Sequence, residues 1–241
     1  MRCPSIGKSG ILLGDSAGLL KCLPSKSVDL VITDPPYGTE YRTNYRKKSS
    51  ISGSNGITCD TDACIVPKLN DVMKELDRVV KDDGHVYMFT KWNKIPDFHP
   101  IMNRHFPIKN AIVMNKINWS MGNLTGAYAN KYEMILFGHK KNKPLNCFGG
   151  TCRHVDVIDV TRVSGNKMVH SHQKPDELID FLIDKSSKPG DTVIDPFAGS
   201  GTTCASAIKK GRRCIGIDID PGAVKIARSR IQNTLNLRKT N

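Results

Sequence analysis

Two hydrophobic rhythms alternate along this chain. The stretch "SVDLVITD" (27–34) gathers Val28, Leu30, Val31 and Ile32 into a short apolar run, the pattern of a strand covered on both faces. "VPKLNDVMKELDRVVKDDG" (66–84) spaces Val66, Leu69, Val72, Met73, Leu76, Val79 and Val80 as one helical face, with Gly84 as its stop. "HVYMFT" (85–90), "NAIVMNKI" (110–117) and "YEMILFGHK" (132–140) read as further strands. "PDELIDFLIDKSSKPG" (175–190) reads as a helix that Pro175 can start and Pro189-Gly190 ends. A strand "DTVIDPF", a helix "GTTCASAIKKG", a strand "RCIGIDID" and a helix "PGAVKIARSRIQ" complete the series. Strands alternating with helices predict an α/β fold with an open, mostly parallel, doubly wound sheet, in one domain over 1–241.

Two stretches fit this scheme poorly. Residues 38–62 are long, basic and rich in Ser and Gly, and a loop of that length in a compact domain is usually functional or disordered. Residues 141–170 mix Lys, Pro, Gly, Asn and His with short apolar pieces, which suggests a small inserted module.

The strand exits carry the chemistry. In "VITDPPYGTE" (31–40), an apolar run breaks off into Asp34, Pro35, Pro36 and Tyr37. Prolines lack the N–H of a sheet ladder and hold the preceding residue extended. The result is a rigid exit that aims a carboxylate and two carbonyls outward. In "VIDPFAGSGTT" (193–203), a strand ends at Asp195, Gly199, Ser200 and Gly201 make a turn, and Thr202 and Thr203 open a helix. The next strand ends at Asp218, where a carboxylate can accept from ribose hydroxyls. The turn is neither G-x-G-x-x-G nor a phosphate loop with GK[ST]. A nucleoside ligand without pyrophosphate fits, and S-adenosylmethionine is one.

Charge changes the picture in one respect. Thirty-six Lys and Arg face 23 Asp and Glu, a net +13 with a pI near 9.4, which favours a polyanionic partner. The eight cysteines form no CxxC; unpaired packing thiols and no structural metal are expected. The first residues lack a signal peptide's apolar core and no run is long enough to span a bilayer, so a cytoplasmic protein is the expectation.

Together, "DPPY" (34–37) and "DPFAGSGTT" (195–203) resemble the amino-methyltransferases of DNA, and their order resembles the permuted β group. The resemblance covers nearly the whole chain. It extends to "LLGDSAGLLKCLPSKSVDLVITDPPY" (12–37), to "GHVYMF" and "NKINWSMGNLTGAYANKYEMILF", and to "HSHQKPDELIDFLI", where Ser171 replaces the family's proline. It implies a Rossmann-like fold and S-adenosylmethionine as cofactor. The cofactor would meet Asp15, Asp34, Lys174, Asp195, Phe197, Gly199, Ser200, Gly201, Thr202 and Asp218. Asp34, Pro35, Pro36 and Tyr37 would be catalytic. It further implies double-stranded DNA as partner and a target-recognition segment at 138–167, whose shortness makes a homodimer plausible.

The chemistry explains DPPY in its own terms. An exocyclic amine is a poor nucleophile because its lone pair is conjugated into the ring. Acceptors for its two N–H groups, the Asp34 carboxylate and the Pro35 carbonyl, concentrate density on nitrogen, and prolines hold the carbonyl in advance. Tyr37 can stack on a base drawn out of the duplex. Arg42, Arg46, Lys47 and Lys48 follow at once and read as phosphate contacts. DPPY rather than SPPY tilts the target toward adenine N6 over cytosine N4. The alternatives are an RNA or protein-amide methyltransferase, a DNA-binding regulator with a vestigial cofactor pocket, and a nicotinamide dehydrogenase. The last lacks its third glycine.

Overall fold

The computed structural model describes residues 8–38, 60–118, 126, 128–147, 154–161 and 174–239. In chain order the elements are β1 (Gly10–Leu13), α1 (Ser16–Leu20), β2 (Val28–Thr33), α2 (Asp62–Val79), β3 (Val80–Thr90), a 3-10 turn (Trp92–Lys94), α3 (Ile95–His105), β4 (Ile108–Lys116), β5 (Tyr132–His139), β6 (Val157–Val160), α4 (Asp176–Ser186), β7 (Thr192–Asp195), α5 (Thr202–Lys209), β8 (Arg213–Asp218) and α6 (Pro221–Lys239).

All eight described strands join one sheet in the order β1-β8-β7-β2-β3-β5-β4-β6. Pairing is parallel from β1 to β3, antiparallel on both sides of β5, and parallel again between β4 and β6. Alternate residues of the central strands feed two cores. Leu30, Ile32, Tyr87 and Phe89 pack with Leu178, Ile179, Leu182 and Ile183 of α4 and with α5 and α6. Val31, Val86 and Met88 pack with α1, α2 and α3 on the other face. A sheet covered on both faces needs apolar residues at both phases of the strand, and β2 is buried at every position. Between β7 and β2 the winding reverses. The chain leaves β7 for α5 on one face and β2 for α2 on the other. A crevice outside the carboxyl ends of two such strands is where α/β sheets hold ligands.

Two expectations need correction, and another gains detail. The helix expected over 66–84 runs from Asp62 to Val79, and β3 begins at Val80 with no intervening turn. Gly84 lies inside that strand rather than ending the helix; a Cβ there would meet Val80 at 2.5 Å and the Asp29 carbonyl oxygen at 3.2 Å. Close backbone approach, not a helix stop, is what this glycine serves. Second, the suspected inserted module contributes β6, an edge strand that pairs with β4. Third, the cysteines are not all unpaired. Cys204 of α5 and Cys214 of β8 are joined as a disulfide with Cα atoms 5.1 Å apart, and Cys64 and Cys147 are disulfide-bonded too. Helix α3 had no counterpart in the sequence reading, because Pro96 and Pro100 obscure its periodicity; one stands at its start, where proline is tolerated.

Candidate active site

The end of β2 delivers Asp34 to the crevice, and neighbouring elements close around it. Asp34 Oδ2 meets Lys174 Nζ at 2.9 Å, and the Tyr37 hydroxyl donates to Asp34 Oδ1 at 2.5 Å. Lys174 stands just before α4. Its ammonium also donates to Glu133 Oε2 of β5 at 2.7 Å and to the Tyr37 hydroxyl at 3.3 Å, and it lies 4.8 Å from the Phe89 ring centroid. Glu133 Oε1 in turn meets Lys116 Nζ of β4 at 2.7 Å. Charges alternate along this chain of contacts, Lys116, Glu133, Lys174, Asp34, all of them mostly buried. Burial pushes the Glu133 carboxyl up, but Lys174 and Lys116 outweigh it and hold it down at about 2. Burial likewise opposes the Lys174 charge, yet Asp34, Tyr37 and Glu133 hold its pKa well above the ordinary lysine range. Each buried charge therefore has a partner, the condition for keeping it ionised away from water.

Beside this chain lies the glycine turn. Asp195 closes β7, and its Oδ1 accepts from the Phe197 amide at 3.1 Å. Ser16 Oγ donates to the Pro196 carbonyl at 2.5 Å. The Gly199 amide donates to Asp218 Oδ2 at 2.7 Å, so the end of β8 supports the turn directly. Gly199 (φ 49°) and Gly201 (φ 76°) are left-handed. At Gly201 packing imposes the same choice, since a Cβ would stand 2.8 Å from that of Ala227 in α6. Ser200 and Thr202 are buried in the turn. Burial raises the Asp195 carboxyl to about 7, and Asp34 and Asp218 add to the rise. Three carboxylates that repel one another around one turn form a setting for a cationic ligand.

Asp15, expected to meet the cofactor, also has two partners within the chain. Its Oδ2 accepts from the Gly18 amide at 2.9 Å as the cap of α1, and its Oδ1 meets Lys68 Nζ at 2.8 Å. It remains half exposed, adjacent to the Gly14 amide that bonds the Asp218 carbonyl. Asp34, Asp195 and Asp218 stand at the ends of β2, β7 and β8, Tyr37, Phe197 and Gly199 to Gly201 follow the first two of these ends, Thr202 opens α5, and Lys174 precedes α4. Arg42, Arg46, Lys47 and Lys48 lie outside the described residues, as do 148–153 and 162–167 of the expected recognition segment. Sequence reasoning missed Glu133 and Lys116. The only hint was an acidic residue at the head of the apolar run "MILF". Among the described residues no group of His, Cys, Asp and Glu is arranged to hold a metal, and none of the described helices is long and apolar enough to cross a membrane.

Comparison with known proteins agrees with this geometry. Residues 28–229 match the N6/N4 methyltransferase family model, described as DNA methylase. The type II methyltransferase M.HinfI of Haemophilus influenzae is 32% identical over 92% of this chain and 68% of its own length. The DNA adenine methyltransferase YhdJ of Escherichia coli is 32% identical over 92% of this chain and 82% of its own. The solved structure of the M1.HpyAVI–SAM complex superposes with a TM-score of 0.70 at 22% identity, covering 92% of this chain and 98% of that one.

Proposed function

This chain belongs to the N6/N4 DNA methylase family, and from that premise we propose that it methylates the exocyclic N6 of an adenine flipped out of double-stranded DNA. The observation that carries the reading is the Asp34 carboxylate at the β2 exit, held by Lys174 and Tyr37 beside the glycine turn. S-adenosylmethionine, when bound, supplies the methyl group on a sulfonium. The carboxylates of Asp195, Asp218 and Asp34 suit its positive charges, and Phe197, Gly199, Ser200, Gly201 and Thr202 form the turn that would receive it, with Asp15 at the adenosine end.

Within this reading each residue has a task. Asp34 and the Pro35 carbonyl accept from the two amine N–H groups, which raises electron density on the nitrogen. Tyr37 offers a stacking surface to the extruded base. Glu133 shares Lys174 with Asp34, so the lysine orients the carboxylate without neutralising it alone. Holding amine and methyl donor together supplies much of the rate. The amine nitrogen would bond the methyl carbon as the carbon–sulfur bond breaks, the electron pair staying on sulfur as a neutral thioether, and the methylated amine would release one proton to water. Arg42, Arg46, Lys47 and Lys48 contribute phosphate contacts, and 138–167 reads the flanking sequence, shared between two copies of the chain.

Cytosine N4 is the second reading, because the matching family spans both amines. A regulator with a vestigial pocket has no use for a fully paired Lys116–Glu133–Lys174–Asp34 chain. Incubating the protein with mixed-sequence duplex and methyl-labelled S-adenosylmethionine, then digesting to nucleosides, tests the proposal. Label in N6-methyladenosine is expected; label in N4-methylcytosine would shift the target base, and no incorporation would overturn the reading.

A further inference from the structure

The basic residues assigned to DNA on sequence grounds fall at 42–48, outside the described residues, whereas the described part of the site holds an unassigned cation. Lys91 follows β3 directly, beside the β2 exit, because parallel pairing sets Thr33 against Met88. Its ammonium lies 4.8 Å from the Tyr37 ring centroid. The other lysines about the site meet carboxylates: Lys174 and Lys116 meet Glu133, Lys94 meets Asp62 at 2.5 Å, and Lys68 meets Asp15. Lys91 has no carboxylate at ion-pair distance among the described residues. Glu133, Asp60 and Asp34 act on it only from farther away, while Lys174 repels it and burial disfavours its charge. A half-buried cation without an anion is costly, and here it borders the place where a polyanion must arrive.

The next residue adds a second, different observation. Trp92 is 63% exposed, although an indole is among the largest apolar surfaces a chain can bury. It heads the 3-10 turn, whose Lys94 amide bonds the Lys91 carbonyl at 2.9 Å and whose Lys94 side chain is anchored on Asp62. The exposed ring is thus held on a braced turn one residue beyond Lys91.

We propose that Lys91 and Trp92 form a nucleotide clamp at the rim of the base pocket, Lys91 contacting the phosphate of the flipped nucleotide and Trp92 stacking on the base beside it. This rests on the DNA reading above and adds residues to it that no phosphate-binding loop supplies. Single-strand readers combine the same two elements, a cation for the backbone and an aromatic face for a base.

Fluorescence anisotropy with a fluorescein-labelled duplex, measured across a salt series without methyl donor, is the test. Lys91→Gln should weaken binding about tenfold at low salt and flatten the log–log salt slope by about one, while Lys91→Arg should restore the slope. Calorimetric affinity for S-adenosylmethionine should be unchanged in both. Trp92→Ala should weaken binding about 5- to 100-fold with the wild-type slope, as expected for lost stacking. In a Trp119→Phe background, adding duplex should quench the Trp92 fluorescence. An unchanged slope for Lys91→Gln overturns the phosphate contact, and a silent indole overturns the stacking. Wild-type protein that binds no duplex would instead sink the DNA reading itself.

Discussion

Strand β3 serves two buried polar clusters, one near its middle and one at its carboxyl end, and they are built from opposite materials. Near its middle the groups are neutral: Ser186 Oγ lies 2.8 Å from His85 Nδ1 and 2.7 Å from the Tyr87 hydroxyl, and His85 Nε2 lies 3.0 Å from the Lys143 carbonyl oxygen. At its carboxyl end the groups are charged, with Asp34, Lys174 and Glu133 in contact. Helix α4 links the two, since Lys174 precedes its first turn and Ser186 ends it. The neutral cluster has a partner on both His85 nitrogens and on the Ser186 hydroxyl, which leaves it nothing to offer a ligand; it locks α4 to the sheet. In the charged cluster, the Asp34 and Glu133 oxygens have further lone pairs. It can hold geometry and still accept from a substrate amine.

The comparison breaks most visibly at Asp34. Asp34→Ala should lower kcat for duplex methylation by about 10²- to 10³-fold, the scale of losing one preorganised electrostatic partner, with S-adenosylmethionine affinity nearly intact. An equal loss of both, by single-turnover kinetics and calorimetry, would make Asp34 chiefly a cofactor contact and remove its role toward the amine.

The neutral cluster should show itself in stability. Burial lowers the His85 pKa from 6.5 to about 4. Between those values the unfolded chain binds the proton and the folded one does not, so stability is full above pH 6.5 and falls as pH falls toward 4. The loss should reach about 3 kcal/mol at most, read as a declining denaturation midpoint that His85→Gln flattens. An equal decline in the variant would remove His85 from the account.

Glu133→Gln sharpens the contrast with a smaller change. It keeps the shape but removes the charge that shares Lys174, leaving that lysine to Asp34. A roughly 10-fold fall in kcat is expected from the misplaced carboxylate, with KM for the cofactor little changed and a lower thermal midpoint, because Lys116 loses its carboxylate. A lower midpoint with kcat intact would make Glu133 part of the scaffold only.

How legible these clusters were follows from the distances along the chain over which they assemble. Asp34, Tyr37 and the glycine turn were readable because each sits within a few residues of a strand exit, and the prolines and glycines that shape those exits are themselves the signal. Phe197, Gly199 and Gly201 fell where the local pattern put them. Glu133 was not readable, since its meaning comes from Lys174, 41 residues on, and from Lys116 on the paired strand β4. Asp15 was assigned to the cofactor by resemblance; that its carboxylate also caps α1 and pairs with Lys68 of α2 had no signal in the local pattern. Gly84 looked like a helix stop and proved to be a point where the Asp29 backbone comes close.

The sequence by itself determined the alternation of strands and helices, the two strand exits and the basic balance. Hydrophobic spacing, proline and glycine act over a few bonds and leave a trace in every local window. Only the tertiary structure decided that β7 and β2 lie side by side, that Lys174 bridges Asp34 and Glu133, and that Lys91 stands over Tyr37 with no carboxylate partner among the described residues. Those relations depend on strand order and on which charges are desolvated together, and neither is written in any short stretch of the chain.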